Sequence, residues 1–286
     1  MWIIFAFGSA LFAGITAILA KIGIKDTDSN VATAIRTIVI LIFSWLMVFI
    51  IGAQNTMGNI NSKTLIFLIL SGMATGGSWL CYFKALQLGN VNKVTPIDKS
   101  STVLTMILAF IILGESITVY KIIAMIVIGT GTYFMITRKN VEAKNVEGNK
   151  WLIYAIISAV FASLTSILGK IGIQGVESNL GTAIRTIVVL VMAWIVVFIS
   201  GKQNEVTKID RKSMIFICLS GITTGLSWLC YYRALQDGQA SIVVPIDKLS
   251  ILVTIAFSYP LLKEKLTRKS LFGLCLIVTG TLLLLI

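Results

Sequence analysis

The sequence predicts an all-α polytopic membrane protein in which ten transmembrane helices form two inverted five-helix repeats. Three observations predict this fold class: the composition, the length of the apolar runs, and an internal repeat. Of 286 residues, 57% are hydrophobic and only 13% are charged, and the mean hydropathy is +0.93. Because charged residues make up about a quarter of a soluble domain, this composition excludes a soluble globular protein.

Apolar runs long enough to cross a bilayer, which takes about 20 residues, occupy nearly the whole chain. The polar stretch 138–150 is the one long linker, and it separates residues 1–137 from residues 151–286. The first run has no basic residues before it, so we expect a full span there and not a cleaved signal peptide. The ten predicted spans are 2–24, 30–51, 64–86, 94–113, 117–137, 151–173, 179–200, 213–235, 242–262 and 266–286.

The two halves repeat each other at a constant offset of 149 residues. TAIRTIV at 33–39 recurs at 182–188, SWLCY at 78–82 recurs at 227–231, and PIDK at 96–99 recurs at 245–248. Each half holds five spans, and five is odd, so the second half enters the membrane from the opposite side. The sequence therefore predicts an inverted repeat, which many secondary transporters use.

The net charge of +12 is explained mainly by topology. Fourteen basic residues fall in the loops of one side, whereas only Lys63 and Lys121 fall on the other. Because short loops rich in Lys and Arg stay cytoplasmic, we expect both termini and residues 63 and 121 outside, with linker 138–150 in the cytoplasm. We expect a multi-pass protein of the cell membrane, the plasma membrane of a prokaryote, and no nucleic-acid partner.

The remaining basic residues form four pairs at equivalent positions, and two aspartates accompany them. Charges inside a membrane normally face a cavity or a partner, so these residues are candidates for substrate binding or gating. For the lysines, an alternative is that they snorkel to the lipid headgroups; for the two arginines, structural pairing is equally open. The basic pairs are Lys21/Lys170, Arg36/Arg185, Lys84/Arg233 and Lys99/Lys248, and the aspartates are Asp98 and Asp247.

The acidic residues have a simpler interpretation as helix caps. Asp98 and Asp247 follow a proline and are expected in the first turn of helices 4 and 9, where the helix dipole favours a carboxylate. One interpretation of these aspartates is an ion pair or a helix cap, and the alternative is a role in gating or proton coupling. Glu115 and Glu264 precede helices 5 and 10 and are expected to be structural caps.

Helices 3 and 8 combine small and aromatic residues. Gly72/Gly76 and Gly221/Gly225 have the spacing that allows two helix backbones to approach closely. The aromatic pairs Trp79/Tyr82 and Trp228/Tyr231 each share one helix face. These pairs are candidates for lining a substrate cavity, although an interfacial belt of aromatic residues is an equal alternative.

Nothing in the sequence favours an enzyme. The chain has no histidine, which removes the commonest general base and metal ligand. Its four cysteines lie in apolar stretches without CxxC spacing, so neither a metal site nor a disulfide framework is indicated. We expect no cofactor, no metal and no catalytic residues.

These features resemble the EamA family of the drug/metabolite transporter superfamily. The resemblance rests on the two five-helix repeats, on the glycine-rich helix 3 and its equivalent helix 8, which end in YFKAL and YYRAL, and on the GESIT and KEKLT junctions before helices 5 and 10. It covers nearly the whole chain. The resemblance implies alternating access and the export of amino acids or related metabolites.

The expected function is a secondary transporter of a small metabolite, an amino acid or a related zwitterion or anion, that alternates access between the two repeats. The excess of positive charge within the membrane favours such a solute over an organic cation. The alternative is a channel or a lipid flippase with the same fold. The expected partners are a small-molecule substrate and the lipid bilayer; a coupling ion, and the choice between monomer and homodimer, stay open.

Overall fold

The computed structural model describes residues 1–23, 27–88, 97, 100–135, 150–262 and 268–286. Within these ranges the regular structure is helical. The first half contains α1 (Trp2–Gly23), α2 (Ser29–Ile50), α3 (Ser62–Leu88), α4 (Ser101–Ile112) and α5 (Val119–Met135). The second half contains α6 (Lys150–Ile173), α7 (Ser178–Ile199), α8 (Arg211–Asp237), α9 (Ala240–Lys248), α10 (Ser250–Leu262) and α11 (Arg268–Leu283). Short 3-10 helices at Ala53–Asn59 and Gln203–Lys208 precede α3 and α8.

Acidic side chains fix the starts of three helices. Asp28 accepts hydrogen bonds from the first backbone N–H groups of α2, and Glu177, at the equivalent position, does the same for α7. Asp210 caps α8 in this way through the backbone of Lys212 and Ser213. A side-chain oxygen at the N-cap satisfies N–H groups that have no partner within the helix. These polar ends delimit the apolar stretches between them.

Helices that could cross a membrane are present in the described part of the chain. Seven stretches of described helix are long and apolar enough to cross a bilayer, and α4 and α5 are shorter apolar helices. Large apolar side chains such as Ile42, Phe198 and Ile126 are more than 60% exposed, which suits contact with lipid and not with water. The protein is an all-helical, multi-pass membrane protein.

Span 9 is not the continuous helix that the sequence predicts. The chain forms α9 and α10 in its place, with a turn at Leu249 between them. Pro245 lies inside α9, where it removes one hydrogen bond of the helix. Asp247 therefore lies in the last turn of α9, and the prediction that it lies in the first turn is wrong, because the helix begins seven residues earlier at Ala240.

The main helix contacts join the first half of the chain to the second. The most extensive are α3 with α6 and α1 with α8, which exchange places under the 149-residue offset. The pairs α2 with α8 and α3 with α7 are related in the same way, as are α1 with α10 and α4 with α6. The helices α2 and α7 pack on each other, and so do α5 and α11. The two halves therefore share a common core.

Glycines allow the closest of these contacts, as the spacing in helices 3 and 8 predicts. A Cβ atom added at Gly72 would lie 2.7 Å from the Cβ of Val188, and one added at Gly221 would lie 2.7 Å from the Cβ of Val39. Since Val188 is the equivalent of Val39, α3 packs on α7 as α8 packs on α2. Any larger residue at these glycines would push the helices apart.

Candidate functional site

A buried cluster around Arg185 joins α3, α7 and α8. Arg185 is 1% exposed, and its guanidinium donates a 2.7 Å hydrogen bond to the hydroxyl of Thr75. The guanidinium carbon lies 5.2 Å from the ring centroid of Trp228 and 4.6 Å from that of Tyr232. We call Arg185, Thr75, Trp228 and Tyr232 the Arg185 cluster.

The close packing of α3 on α7 creates this cluster. Gly72 lies against the backbone oxygen of Arg185, one turn of helix away from Thr75, so the arginine of the second half reaches a hydroxyl of the first half. Trp228 and Tyr232 are one turn apart on α8 and therefore share a face. Thr75 also lies 3.3 Å from the hydroxyl of Thr165 on α6, which extends the cluster to a fourth helix.

The positive charge of Arg185 is incompletely compensated. Its Nε atom is buried and has no hydrogen-bond partner, and no described carboxylate lies within ion-pair distance of the guanidinium. The aromatic faces contribute a cation–π attraction worth about 0.5–2 kcal/mol each, which is less than full neutralisation by an anion. A buried cation in this condition attracts an anionic group.

A carboxylate is linked to the same part of α8 through a serine. Asp247 accepts a 2.6 Å hydrogen bond from the hydroxyl of Ser9, and its other oxygen is 3.9 Å from the Nζ of Lys248. The same Ser9 hydroxyl lies 3.3 Å from that of Ser227, the residue that precedes Trp228. Asp247 is therefore linked through Ser9 to the part of α8 that carries the aromatic residues of the Arg185 cluster.

Tyr231 is held in place by polar and aromatic contacts. Its hydroxyl lies 2.8 Å from the hydroxyl of Ser166 on α6. Its ring meets that of Tyr232 edge to face, with 5.2 Å between the centroids. Tyr231 therefore contacts α6 through its hydroxyl, and Tyr232 faces Arg185 with its ring.

Arg36, the equivalent of Arg185, has different surroundings. It is half-buried, and its Nε atom is buried without a hydrogen-bond partner. Among the residues that the structure describes, no hydrogen bond, ion pair or ring contact involves Arg36. The equivalent of Thr75 is Thr224, whose hydroxyl donates to the backbone oxygen of Ser220, as the hydroxyl of Thr75 donates to the backbone oxygen of Ser71.

Pairs of serine hydroxyls connect α1 with α8 and, at the equivalent place, α6 with α3. The hydroxyls of Ser9 and Ser227 are 3.3 Å apart, and so are those of the equivalent residues Ser158 and Ser78. Ser227 also donates to the backbone oxygen of Ser9, as Ser78 does to that of Ser158, at 3.1 Å in both cases. The same polar contact therefore occurs once at α1 with α8 and once at α6 with α3.

A groove of about 450 Å³ opens at one end of the bundle, where α6 and α8 end. Arg233 lies on its wall and forms an exposed 3.3 Å ion pair with Asp237, so this pair contributes little to stability. We call this cavity the Arg233 groove. Its lining also includes Thr56, Asn59, Gln174, Glu177 and Gln236. Its walls come from both halves of the chain.

Beneath this groove, side chains bind the free carbonyl groups at two helix ends. Lys170 donates to the backbone oxygens of Leu235 and Gly238 at the end of α8. The amide of Gln236 donates to the backbone oxygens of Ile173 and Val176 at the end of α6, at 2.8 Å each. Lys170 is therefore a structural cap in this structure and does not snorkel, since it is only 8% exposed.

Glu115 is a cap, but not of the helix that follows it. Its carboxylate accepts hydrogen bonds from the backbone N–H of Ala240 at 2.6 Å and of Ser241 at 3.0 Å, and one from the Ser241 hydroxyl. It therefore caps α9, which belongs to the other half. Beside it, Lys121 donates to the side-chain oxygen of Gln239 at 2.6 Å.

Comparison with known proteins identifies the family of the chain. The EamA-like transporter family matches residues 1–137 and again residues 149–286. The chain belongs to this family. Its members are named as transporters, so the resemblance stated from the sequence is confirmed, and the protein is a membrane transporter by family.

Two relatives show how the family unit compares with the chain. An uncharacterized transporter from Sinorhizobium is 40% identical over 134 residues, which are 47% of this chain and 95% of the relative. An uncharacterized protein of Methanocaldococcus jannaschii is 30% identical over 133 residues, which are 46% of this chain and 94% of the relative. Half of this chain therefore matches nearly the whole of each relative.

A solved structure shares the fold across the whole chain. It is titled only as the crystal structure of a protein, its TM-score is 0.78, and the two sequences are 14% identical. The match covers 98% of this chain and 95% of the other. At this identity the similarity concerns the fold alone.

The predicted site residues of this EamA-like protein are only partly brought together. Arg185, Trp228, Tyr231 and Asp247 converge, whereas Arg233 lies apart in the groove. Lys248 is exposed beside Asp247, and Lys84 is exposed on α3. Trp79 packs against a buried cluster that includes Ile35 of α2, and Tyr82 packs against the buried pair Ala85 and Ala155. Asp98, Lys99, Glu264 and most of the linker 138–150 lie outside the described residues, as does the Lys21 side chain.

Three residues of the site were not singled out from the sequence. Thr75 and Ser9 have equivalents of the same type, Thr224 and Ser158, so the hydroxyls retained in both repeats were a usable signal. Tyr232 is replaced by Phe83 in the first half, and no pattern in the sequence identifies it. Among the described residues, no group of three His, Cys, Asp or Glu side chains could hold a metal ion.

Proposed function

We propose that this protein is a secondary transporter that exports a small metabolite, an amino acid or a related zwitterion or anion. Access alternates between two inverted five-helix repeats, residues 1–137 and 151–286, with residues 138–150 as a cytoplasmic linker. The observation that carries the proposal is the buried Arg185, which lacks a described carboxylate partner and contacts both halves of the chain.

The packing supports an inverted repeat. The contact between α1 and α8 has its counterpart in that between α6 and α3, down to equivalent serine pairs at 3.3 Å. Relatives that this chain matches over nearly their whole length correspond to only half of it. A second five-span unit fused to the first enters the membrane from the opposite side, because five is an odd number of spans.

The chemistry of the site supports a solute that carries a negative group. A carboxylate near Arg185 would complete the pairing of its guanidinium, because a planar carboxylate matches two of its N–H groups. Asp247, linked through Ser9 to the same part of α8, would receive an ammonium group. A solute with both groups, such as an amino acid, therefore fits the charges better than an organic cation does.

The construction of the bundle supports alternating access. The halves meet through short hydroxyls and through glycines, Gly72, Gly76 and their equivalents, which receive side chains of the facing helix. The break between α9 and α10 lies one residue after Lys248, and interrupted helices near charged residues are typical of transporter substrate sites. Rocking of one half against the other would open the site to each side in turn.

The proposed orientation follows the distribution of basic loops. Both termini and the Arg233 groove lie on the outer side of the cell membrane. When the transporter is open to that side, a solute reaches the Arg185 cluster through the groove. A coupling ion and a homodimer are compatible with this arrangement. Neither is required by it.

Counterflow in proteoliposomes tests the proposal. Vesicles that contain the purified protein would be loaded with unlabelled alanine, glutamate, succinate or tetraethylammonium, and the uptake of the same labelled solute would be followed. We expect saturable counterflow for an amino acid or a carboxylate, at least tenfold lower for Arg185→Ala, and near normal for the exposed control Lys208→Ala. Counterflow of tetraethylammonium alone would contradict the proposed substrate class. Flux without saturation, or movement of a fluorescent lipid between leaflets, would favour the channel or flippase alternative.

A further inference from the structure

We infer that Arg36 and Arg185 alternate between a paired and an unpaired state as the transporter changes conformation, and that Thr75 and Thr224 are the positioning residues that stabilise the two paired states. The inference rests on the proposed function and goes beyond it. In the paired state the guanidinium is bonded to a threonine of the other repeat. In the unpaired state it is not.

The two arginines have matching sequence surroundings. Each lies in the segment TAIRTIV, and the helix beside it carries Gly-x-x-Thr-Gly, with Thr75 or Thr224 at the fourth position. The glycine contacts also match, because a Cβ added at Gly72 would lie 3.0 Å from the Arg185 backbone oxygen, and one added at Gly221 would lie 3.1 Å from that of Arg36. Each arginine thus has a threonine within reach on the opposite half.

The observed contacts differ despite this match. Arg185 is 1% exposed and bonded to Thr75 at 2.7 Å. Arg36 is half-buried, and no described residue bonds to it. The threonines themselves have matching contacts. Thr224 lies 3.5 Å from the hydroxyl of Thr16 and donates to the Ser220 backbone oxygen, as Thr75 lies 3.3 Å from the hydroxyl of Thr165 and donates to the Ser71 backbone oxygen. The bond to the arginine is what differs. Two equivalent positions in one chain are therefore in two different states.

This difference is what an inverted repeat produces when it stops on one side of its cycle. In the opposite conformation the two halves exchange their arrangements. Arg36 would then bond to Thr224 and pack near Trp79, while Arg185 would leave Thr75. A threonine hydroxyl bonded to a charged group therefore stabilises one conformation and not the other, which shifts the equilibrium between them.

The aromatic residues make the two paired states unequal. Arg185 lies over Trp228 and over Tyr232. The equivalents are Trp79 and Phe83, and a phenylalanine ring gives a weaker cation–π attraction than a tyrosine or tryptophan ring. The paired state of Arg185 is therefore the more stable of the two, in agreement with its being the one observed.

The test uses two isosteric substitutions that remove one hydroxyl each. Thr75→Val weakens the conformation seen here, and Thr224→Val weakens the opposite one. Nitroxide labels at Asn59→Cys and Gln174→Cys, one from each half across the Arg233 groove, would report the conformations by double electron–electron resonance. The background would lack the four native cysteines, and Thr186→Val is the matched control, since its hydroxyl bonds only within its own helix.

The result expected is a shift in opposite directions. A hydrogen bond to a charged group corresponds to about a tenfold change in an equilibrium, so Thr75→Val should raise the population of the second distance about tenfold. Thr224→Val should lower it, and Thr186→Val should leave it unchanged. Shifts in the same direction, or none in either variant, would overturn the inference. The measurement needs no solute, so a lack of counterflow would contradict only the proposed function.

Discussion

The substitution Gly72→Ala tests the contact that brings Arg185 to Thr75. The added Cβ would lie 2.7 Å from the Cβ of Val188, whereas carbon atoms in contact are about 3.5–4.0 Å apart. The helices α3 and α7 must therefore separate by about 1 Å. That movement would lengthen the 2.7 Å bond between Arg185 and Thr75 to about 3.7 Å, beyond hydrogen-bond range.

The expected loss of stability follows from two opposing terms. Overpacking costs about 1–3 kcal/mol, and replacing glycine by alanine inside a helix gains about 0.8–1.0 kcal/mol. Gly77→Ala on the same helix is the matched control, because its Cβ would meet only the Phe161 ring, at 3.4 Å. The difference between the two variants therefore isolates the overpacking term, about 1–3 kcal/mol.

Thermal unfolding in detergent, followed by tryptophan fluorescence, would measure this difference, and counterflow would measure the loss of the arginine contact. We expect Gly72→Ala to unfold at a lower temperature than Gly77→Ala and to transport less. If the two variants unfold at the same temperature and transport equally, then α3 and α7 are not as closely packed as described. The explanation of how Arg185 reaches Thr75 would then be wrong.

Two further predictions concern helix caps. Glu115→Ala removes the cap of α9 and should destabilise the protein by about 1–2 kcal/mol in chemical unfolding. The control Glu205→Ala, at a partly exposed residue that loses its 3.2 Å pair with Lys208, should change stability by less than about 1 kcal/mol. Equal effects of the two substitutions would contradict the capping role of Glu115. Hydrogen bonds from Ser213 hold the pKa of Asp210 below its ordinary value of 3.8. The ionised carboxylate therefore stabilises the fold fully above pH 3.8, and this stabilisation is lost as the pH falls through the pKa of the folded state. The stability difference between the wild type and Asp210→Ala should therefore be full at neutral pH and shrink in acid, and a difference independent of pH would contradict it.

Much of the fold could be predicted because lipid imposes simple rules on a sequence. A span must be apolar and of the right length, so α2 and α7 fall within a few residues of the predicted runs 30–51 and 179–200. The close contacts at Gly72 and Gly221 could be predicted for a similar reason, since only small residues allow such an approach. Both signals are local in the sequence.

The errors come from interactions between distant parts of the chain. The start of α9 depends on Glu115, which is 125 residues away from Ala240, and no local pattern reports such a partner. Because α9 begins there, Asp247 lies at its end and not in its first turn. In the same way, Thr75 gains its role only from the packing of α3 on α7, although its retention as Thr224 in the other repeat was visible.

The candidate site shows the same division. Arg185 and Trp228 could be singled out because their types are costly or distinctive within a membrane. Their convergence on Tyr232 could not be predicted, because it depends on the relative rotation of α7 and α8. Equivalent sequence positions also do not guarantee equivalent contacts, as the different surroundings of Arg36 and Arg185 show.

The inversion of the two repeats is the claim on which the transport mechanism depends, and labelling at two equivalent positions tests it directly. Asn59 and Lys208 are exposed and occupy equivalent positions, 149 residues apart. Each would be replaced by cysteine in a cysteine-free protein and treated with a membrane-impermeant maleimide in intact cells and in opened cells. We predict that position 59 reacts in intact cells and that position 208 reacts only after the cells are opened. Reaction of both positions under the same condition would show that the repeats are not inverted.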